Sequence, residues 1–498
     1  MPLSIVYSRV LTGVQAREVA VEVHIANGLP SLTIVGLPDT EVKESRERVR
    51  AAIQTSGLLF PTRRITVNLA PADLPKDSGR FDLAIALGIL AASNQIKGDT
   101  LCQHEFAGEL ALSGELRAIR GSLIMALEAR RSGRALVLPY ASAQEAALVC
   151  GVSILPASHL LDVCAHVNGT QPLSILNTSS IPATSIQSIP DLADVVGQHS
   201  ARLALELAAA GAHSVLLIGP PGAGKSMLAA RLPSLLPDLL EEEALEAAMI
   251  QSLSSEGFHA ARWKVRPFRS PHHTLSAAAM VGGGAHVRPG EVSLAHHGVL
   301  FLDELPEFNR QVLEVLREPL ETGMIHLSRA ARQATYPARF QLIAAMNPCP
   351  CGYYGYDQER CRCSPEQIRR YRGKISGPLV DRIDLRVALP ALTMSELANM
   401  QCGESSAVVR QRVVSSHQRQ LTRQGKPNAF LSAQELDTPA MVSRMARTCL
   451  VDTVERLSLS LRSFHRILRV ARTIADREEE AVVLPVHVLQ AIQLWRCY

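Results

Sequence analysis

The stretch that most limits what this chain can fold into runs from Val215 to Leu232. An apolar run, Val215-Leu216-Leu217-Ile218, is followed by Gly219-Pro220-Pro221-Gly222-Ala223-Gly224-Lys225-Ser226 and then by Met227-Leu228-Ala229-Ala230-Arg231-Leu232. The first reads as a buried parallel strand and the last as the opening of a helix. Glycines between them let successive backbone N–H groups turn inward around a phosphate chain, and the helix N-terminus adds partial positive charge. Lys225 is placed to reach β- and γ-phosphates, and the Ser226 hydroxyl to hold Mg²⁺. The pattern therefore demands an α/β core with a nucleotide site at Gly219, Pro220, Pro221, Gly222, Ala223, Gly224, Lys225 and Ser226.

Two further apolar runs end in residues that such a site needs. His297-Gly298-Val299-Leu300-Phe301-Leu302-Asp303-Glu304 reads as a second buried strand tipped by two carboxylates. Asp303 is expected to hold the magnesium shell, through water or Ser226. Glu304 is expected to orient and polarise an attacking water, because phosphoryl transfer needs positioning more than covalent help. Phe340-Gln341-Leu342-Ile343-Ala344-Ala345-Met346 delivers Asn347, whose polar tip fits a γ-phosphate sensor. Farther on, Arg382 lies between Asp381 and Asp384 and is either an ion-pair arginine or a catalytic one.

Composition bounds the surroundings. With 498 residues, 47% of them apolar, two or three ordinary domains are expected. Lys+Arg 51 against Asp+Glu 47 gives +4, so a basic surface for a polyanion must be local. The N-terminus lacks a basic-then-apolar leader, and no 18-residue apolar run occurs, so a cytoplasmic, membrane-free protein is expected. Aromatic residues are 4% of the chain, which argues against base stacking as a dominant binding mode. Ten cysteines suggest thiols or metal ligands rather than a disulfide frame. Four of them form two C-x-C pairs, Cys349-Pro350-Cys351 and Cys361-Arg362-Cys363. Four thiolates on a short loop suit a structural tetrahedral Zn²⁺ site; free thiols or an iron–sulfur site are the other readings.

Strand and helix signals alternate through residues 1–168. Val19, Val21, Val23 and Ile25 alternate with polar residues as in a half-buried strand. Asp39 or Thr40 caps a helix that Gly57 ends, and residues 81–90 form a helix apolar nearly all round, hence buried. A Ser-, Thr- and Pro-rich stretch at 169–190 reads as a linker. Residues 191–391 carry the nucleotide motifs, with the cysteine loop at 349–363, and helical periodicity dominates 392–498. There, Val408 to Arg423 is a helix with a basic face, and Ser460 to Arg472 sets Arg462, Arg466 and Arg469 on one side of another.

Two resemblances extend this reading. Leu74-Pro75-Lys76-Asp77-Ser78-Gly79-Arg80-Phe81-Asp82 and Gly114-Glu115-Leu116-Arg117-Ala118-Ile119-Arg120-Gly121 resemble the Lon-protease-like domain, a ribosomal protein S5 domain 2-like α+β fold. The match sets Arg80 at the serine position and Leu123 near the lysine position, so the Ser–Lys dyad is missing and a scaffold is implied. Residues 194–390, with Val281-Gly282-Gly283-Gly284 and Arg288-Pro289-Gly290-Glu291-Val292-Ser293-Leu294-Ala295-His296, resemble AAA+ ATPases of the magnesium-chelatase and MCM-helicase branch. The nearest likeness, over nearly the whole chain, is the ComM (YifB-type) family of magnesium-chelatase-like proteins.

That resemblance implies an AAA+ P-loop core with a helical lid, ATP and Mg²⁺ as ligands, and zinc on Cys349, Cys351, Cys361 and Cys363. It implies a homo-oligomeric ring, usually a hexamer, in which Arg382 is an arginine finger donated to a neighbour. Arg462 is implied as the second sensor, with Arg466 as understudy. Arg329 matches a pore-hairpin position that grips DNA backbone, with Arg332 and Arg339 near it; a solvated hairpin is the other reading. The implied activity is an ATP-driven DNA motor, a helicase or branch-migration translocase acting on single-stranded or branched recombination intermediates in natural transformation. The alternative is a magnesium-chelatase-type motor subunit acting on a protein partner.

Overall fold

The computed structural model describes residues 3–176, 190–254, 256–283, 287–329, 332–357, 359–391, 403–438, 441–457 and 459–495. Most of the expected linker, at 177–189, lies outside the described residues, as do Gly284, residues 392–402 and Cys497. The chain divides into two compact units, Met1–Ser185 with Ala248–Trp263, and Ile186–Ala247 with Lys264–Tyr498.

In the first unit a seven-stranded mixed sheet runs Ser31–Val35, Arg64–Ala70, Gln15–Ala26, Leu3–Thr12, His104–Phe106, Ala135–Pro139, Ile154–Ala157. Leu3–Thr12 and Gln15–Ala26 form a hairpin with Thr12 opposite Gln15, turned at Gly13, where φ is +60°. The helix Thr40–Thr55 starts where Asp39 accepts from the Glu41 N–H at 2.8 Å. The helix Asp82–Ala92 is buried along almost its whole circumference, as its all-apolar sequence demands. It lies so close to the sheet that a Cβ on Gly88 would meet Val23 Cγ2 at 2.5 Å. Arg9 reaches Glu105 with two hydrogen bonds of 2.6 and 2.7 Å inside this core. Ser78 takes φ +67° and its hydroxyl accepts from Arg80 Nε at 2.8 Å. A guanidinium cannot take a proton from that hydroxyl, and Leu123 is buried and apolar.

The second unit is built on a parallel five-stranded sheet in the order Phe268–Arg269, Val299–Leu302, Gln341–Met346, Val215–Ile218, Leu385–Ala388. The expected mixture of a parallel α/β core with a helical C-terminus is what the chain adopts. Alternation divides the strand side chains between two cores. Val215, Leu217, Phe301, Ile343 and Ala345 face one that also holds Leu205 of the helix His199–Gly211 and Val409, Ile467 and Leu468 of the C-terminal helices. Leu216, Ile218, Leu300, Leu302, Ala344 and Met346 face the other, with Met280, Val292 and Leu313.

Ion pairs fasten the C-terminal helices Ser406–Gln424 and Leu461–Arg477 to the sheet's helical layer. Buried Glu206 accepts from Arg412 at 2.8 Å and from Arg477 at 2.7 Å. Arg410 pairs with Asp238, Arg419 with Glu479 and Arg423 with Asp476. The basic face seen in the sequence of Ser406–Gln424 is thus largely spent on internal pairs, which leaves little of it for a nucleic acid. Among the described residues no helix is long and apolar enough to cross a membrane.

Candidate nucleotide site and cysteine loop

Parallel register brings the three motifs to one edge of the sheet. Ile218 is level with Met346, so the glycine-rich loop and Asn347 leave adjacent strands side by side. Leu302 is level with Ala344, which sets Asp303 and Glu304 at the same edge on the other flank of Gln341–Met346. Residues far apart in sequence meet because all three strands point the same way.

Lys225 Nζ donates to Gly219 O at 2.8 Å, Pro220 O at 2.9 Å and Asn347 Oδ1 at 3.0 Å. Burial pushes its pKa down, and the carboxylates of Asp303 and Glu304 push it back up. Ser226 Oγ donates to Asp303 Oδ2 at 2.6 Å, and the other oxygen of Asp303 accepts from the Glu304 N–H at 2.9 Å. Glu304 has φ +51°, a left-handed backbone uncommon for a side chain other than glycine, and its carboxylate is more than half exposed. An ammonium, a hydroxyl beside a carboxylate, a second exposed carboxylate and an amide are therefore gathered around one loop. Such a set can hold a polyphosphate and a divalent cation and can aim a water.

Sequence reasoning missed His273. Its Nδ1 lies 3.4 Å from Glu304 Oε2, and its ring lies tilted against His272 with centroids 4.1 Å apart. His273 follows the edge strand Phe268–Arg269, which pairs with Val299–Leu302, so the sheet order carries it to Glu304. The only local signal was a polar tip, Ser270-Pro271-His272-His273, after a strand of two residues.

Arg382 stands elsewhere. The strand it precedes, Leu385–Ala388, runs parallel to Val215–Ile218 with Leu385 level with Val215. Arg382 thus sits at the start of the strands and Lys225 beyond their ends, at least about 13 Å away along a four-residue strand. Its guanidinium is 8% exposed, pairs with Glu321 and donates to Pro378 O at 2.6 Å. Arg466 belongs to the same far edge, 3.5 Å from Asp384, whose other oxygen is 3.6 Å from His213 Nδ1. Arg462, one turn earlier, is exposed. The structure does not bring Arg382 or Arg466 to the glycine-rich loop of its own chain. Arg329 and Arg332 face each other across the hairpin Met324–Arg329 and Arg332–Pro337; their side chains lie outside the described residues.

The four expected cysteines do converge, with every Sγ within 4.8 Å of the others. Cys349 is 3.3 Å from Cys351 and 3.9 Å from Cys361, and Cys351 is 3.7 Å from Cys361. A tetrahedron with metal–sulfur bonds of about 2.3 Å has edges of about 3.8 Å, so the cluster fits a thiophilic ion of zinc's size. The Tyr353 backbone and neighbouring thiols pull Cys351 down, while the same crowding of thiols pushes Cys361 and Cys363 up, so without an ion one thiolate is favoured and the others stay protonated. A second grouping, Glu246 with His296 and His297, fits less well. His296 Nδ1 accepts from the Arg339 N–H at 3.0 Å, so Nε2 carries the proton and donates to Glu246 at 3.1 Å. With its proton there, Nε2 is unavailable to an ion, and the three residues form a hydrogen-bonded staple.

Comparison with known proteins places these features in company. Residues 191–397 match the family model described as magnesium chelatase, subunit ChlI; residues 21–142 match a model of the same subunit, and residues 403–495 its C-terminal part. The chain is 49% identical to the uncharacterized protein YifB of Escherichia coli, over 99% of this chain and 97% of that one. It is 47% identical to the competence protein ComM of Haemophilus influenzae over the same shares. A 28% match to the magnesium-chelatase 38 kDa subunit of Rhodobacter capsulatus spans 31% of this chain and 49% of that protein.

Proposed function

The chain belongs to the ComM and YifB-type family of magnesium-chelatase-like AAA+ proteins, and from that premise we propose that it is an ATPase driving a ring-shaped DNA motor. The observation that carries the ATPase reading is the joint placement of Lys225, Ser226, Asp303, Glu304 and Asn347 at one sheet edge. Residues 219–226 would hold the phosphates by their N–H groups and Lys225. Ser226 and Asp303 would hold Mg²⁺, which neutralises charge on the phosphates when bound. Glu304 polarises water, and Asn347 senses the γ-phosphate and fixes Lys225.

Placement of Arg382 a strand's length from Lys225 supports a site completed by a neighbour, hence an oligomer, with a hexameric ring as the reading we adopt. Arg462 lies one turn from Arg466, at the edge where Asp384 is, and in the same way is read as serving the adjoining subunit. Zinc on Cys349, Cys351, Cys361 and Cys363 would be structural. Residues 1–168 are read as a Lon-protease-like scaffold, 191–391 as the motor core and 392–498 as its lid. The name of ComM favours a competence role; single-stranded or branched DNA is the partner we propose, with Arg329 and Arg332 as its backbone contacts. The chelatase models favour the second reading, a motor acting on a protein partner.

The deciding experiment measures ATP hydrolysis with and without single-stranded and branched DNA, alongside displacement of a labelled strand. Stimulation with unwinding supports the DNA motor; hydrolysis indifferent to DNA under every condition turns the reading toward the chelatase-type motor. The seam is tested separately. Arg382→Ala should abolish hydrolysis in assembled protein, and mixing it with Lys225→Ala should restore part of the rate. No recovery at any mixing ratio would remove Arg382 from the neighbour's site.

A further inference from the structure

We propose that the four-cysteine loop positions the phosphate loop, so that the metal it holds sets the affinity of the nucleotide site. The inference rests on the reading of residues 219–226 as that site. Three contacts carry it. First, the loop begins two residues after Asn347, the residue that accepts from Lys225 Nζ at 3.0 Å.

Second, Gly352 sits between Cys351 and Tyr353 with φ +88°, and its α-carbon lies against the phosphate loop. A Cβ there would stand 2.6 Å from Pro221 Cδ, 2.8 Å from Pro221 Cγ and 3.8 Å from Asn347 Cγ. Only glycine tolerates both the backbone conformation and the approach. Third, the Tyr356 hydroxyl lies 3.5 Å from the carbonyl of Ile218, the last residue before the glycine-rich turn. The thiol loop thus touches the start of the phosphate loop, its Pro-Pro turn and the partner of its lysine.

Besides the thiols, the loop is held from outside by Arg372, which donates to Pro348 O at 3.2 Å and lies over the Tyr354 ring, and within itself by local bonds. Its described backbone bonds are short turns: Gly352 N–H to Cys349 O, Tyr356 and Asp357 N–H to Tyr353 O, and Cys361 N–H to Asp357 O. A loop of that kind takes its order from its ion, because binding energy at a structural thiolate site is folding energy. Gly352 is one residue from a ligand, so it stays on Pro221 only while Cys349, Cys351, Cys361 and Cys363 are drawn together. Freed, it would leave Pro221 and Asn347 without a wall, and a misplacement of about 1 Å at such a site is costly.

The test uses the full chain and a fluorescent non-hydrolysable ATP analogue, with bound metal counted in the same samples. Zinc-loaded protein should hold one ion and bind the analogue; chelator-stripped protein should bind it about 10-fold more weakly or worse, with recovery on adding zinc. Gly352→Ala should keep its zinc and still lose affinity to a similar degree, which separates positioning from unfolding of the loop. Equal affinity in loaded and stripped protein, native affinity in Gly352→Ala, or a chain that takes up no zinc would each overturn the proposal. Loaded protein that binds no nucleotide at all would instead bring down the nucleotide reading, and this with it.

Discussion

Ser78 in the first unit and Glu304 in the second are built alike and put to opposite use. Each is a polar residue with a positive φ, +67° and +51°, and each opens a single 3₁₀ turn, Gly79–Phe81 or Leu305–Glu307. Their ψ angles differ, 159° at Ser78 and 47° at Glu304, so only Glu304 is left-handed helical. Backbone strain of this kind persists only where the surroundings enforce it. At Ser78 the surroundings also close the site: Arg80 is 6% exposed and donates straight to the hydroxyl. At Glu304 the backbone is tied, its N–H to Asp303 and its carbonyl to the Glu307 N–H, while the carboxylate is exposed beside an imidazole. Strain alone therefore does not mark a reactive group. What distinguishes the second site is an acceptor left free to take a proton or aim a water.

The sharpest way to break that comparison is to neutralise both groups. Glu304→Gln should still bind ATP but hydrolyse it at least about 100-fold more slowly, the scale on which a residue that positions the reacting water acts. Ser78→Ala should leave the rate unchanged; an equal loss from the two changes would refute the distinction. Next in size is a structural effect confined to the first unit. Glu105→Gln leaves Arg9 buried without its countercharge and should destabilise that unit by about 3 kcal/mol in urea unfolding, with ATP hydrolysis by the folded protein intact.

A smaller, pH-dependent effect belongs to Glu145, which burial raises to about 7. Its folded pKa exceeds its unfolded value, so the folded state keeps a proton that the unfolded state has released. Stability should therefore fall as pH rises from about 4.5 to 7 and level off above that. Glu145→Gln should remove this slope and raise the unfolding free energy at pH 8 more than at pH 5, by about 2 kcal/mol. An unchanged pH profile would exclude Glu145 as its source. Smallest is His273→Ala, expected to slow turnover several-fold with little change in KM. A change in KM alone would place His273 in binding rather than in holding Glu304.

Legibility followed chemistry at strand tips. Lys225, Asp303, Glu304 and Asn347 could be read because each closes or follows an apolar run whose parallel partner must be buried. His273 could not, since its meeting with Glu304 depends on sheet order, which no local pattern encodes. The opening strand Leu3–Thr12 was obscured by Ser4, Ser8 and Arg9; the arginine's charge is answered from afar, by Glu105 across 96 residues. The arginines of Ser406–Gln424 looked like an exposed basic face for the same reason, because Glu206, Asp238, Asp476 and Glu479 arrive from other elements.

The separation of Arg382 from Lys225 along parallel strands has a kinetic corollary. If Arg382 serves the neighbour's site as proposed, a lone protomer owns two halves of different catalytic centres and the whole of none. Dilution should then silence turnover without loosening ATP binding, and specific activity should climb with protein concentration until every seam is occupied.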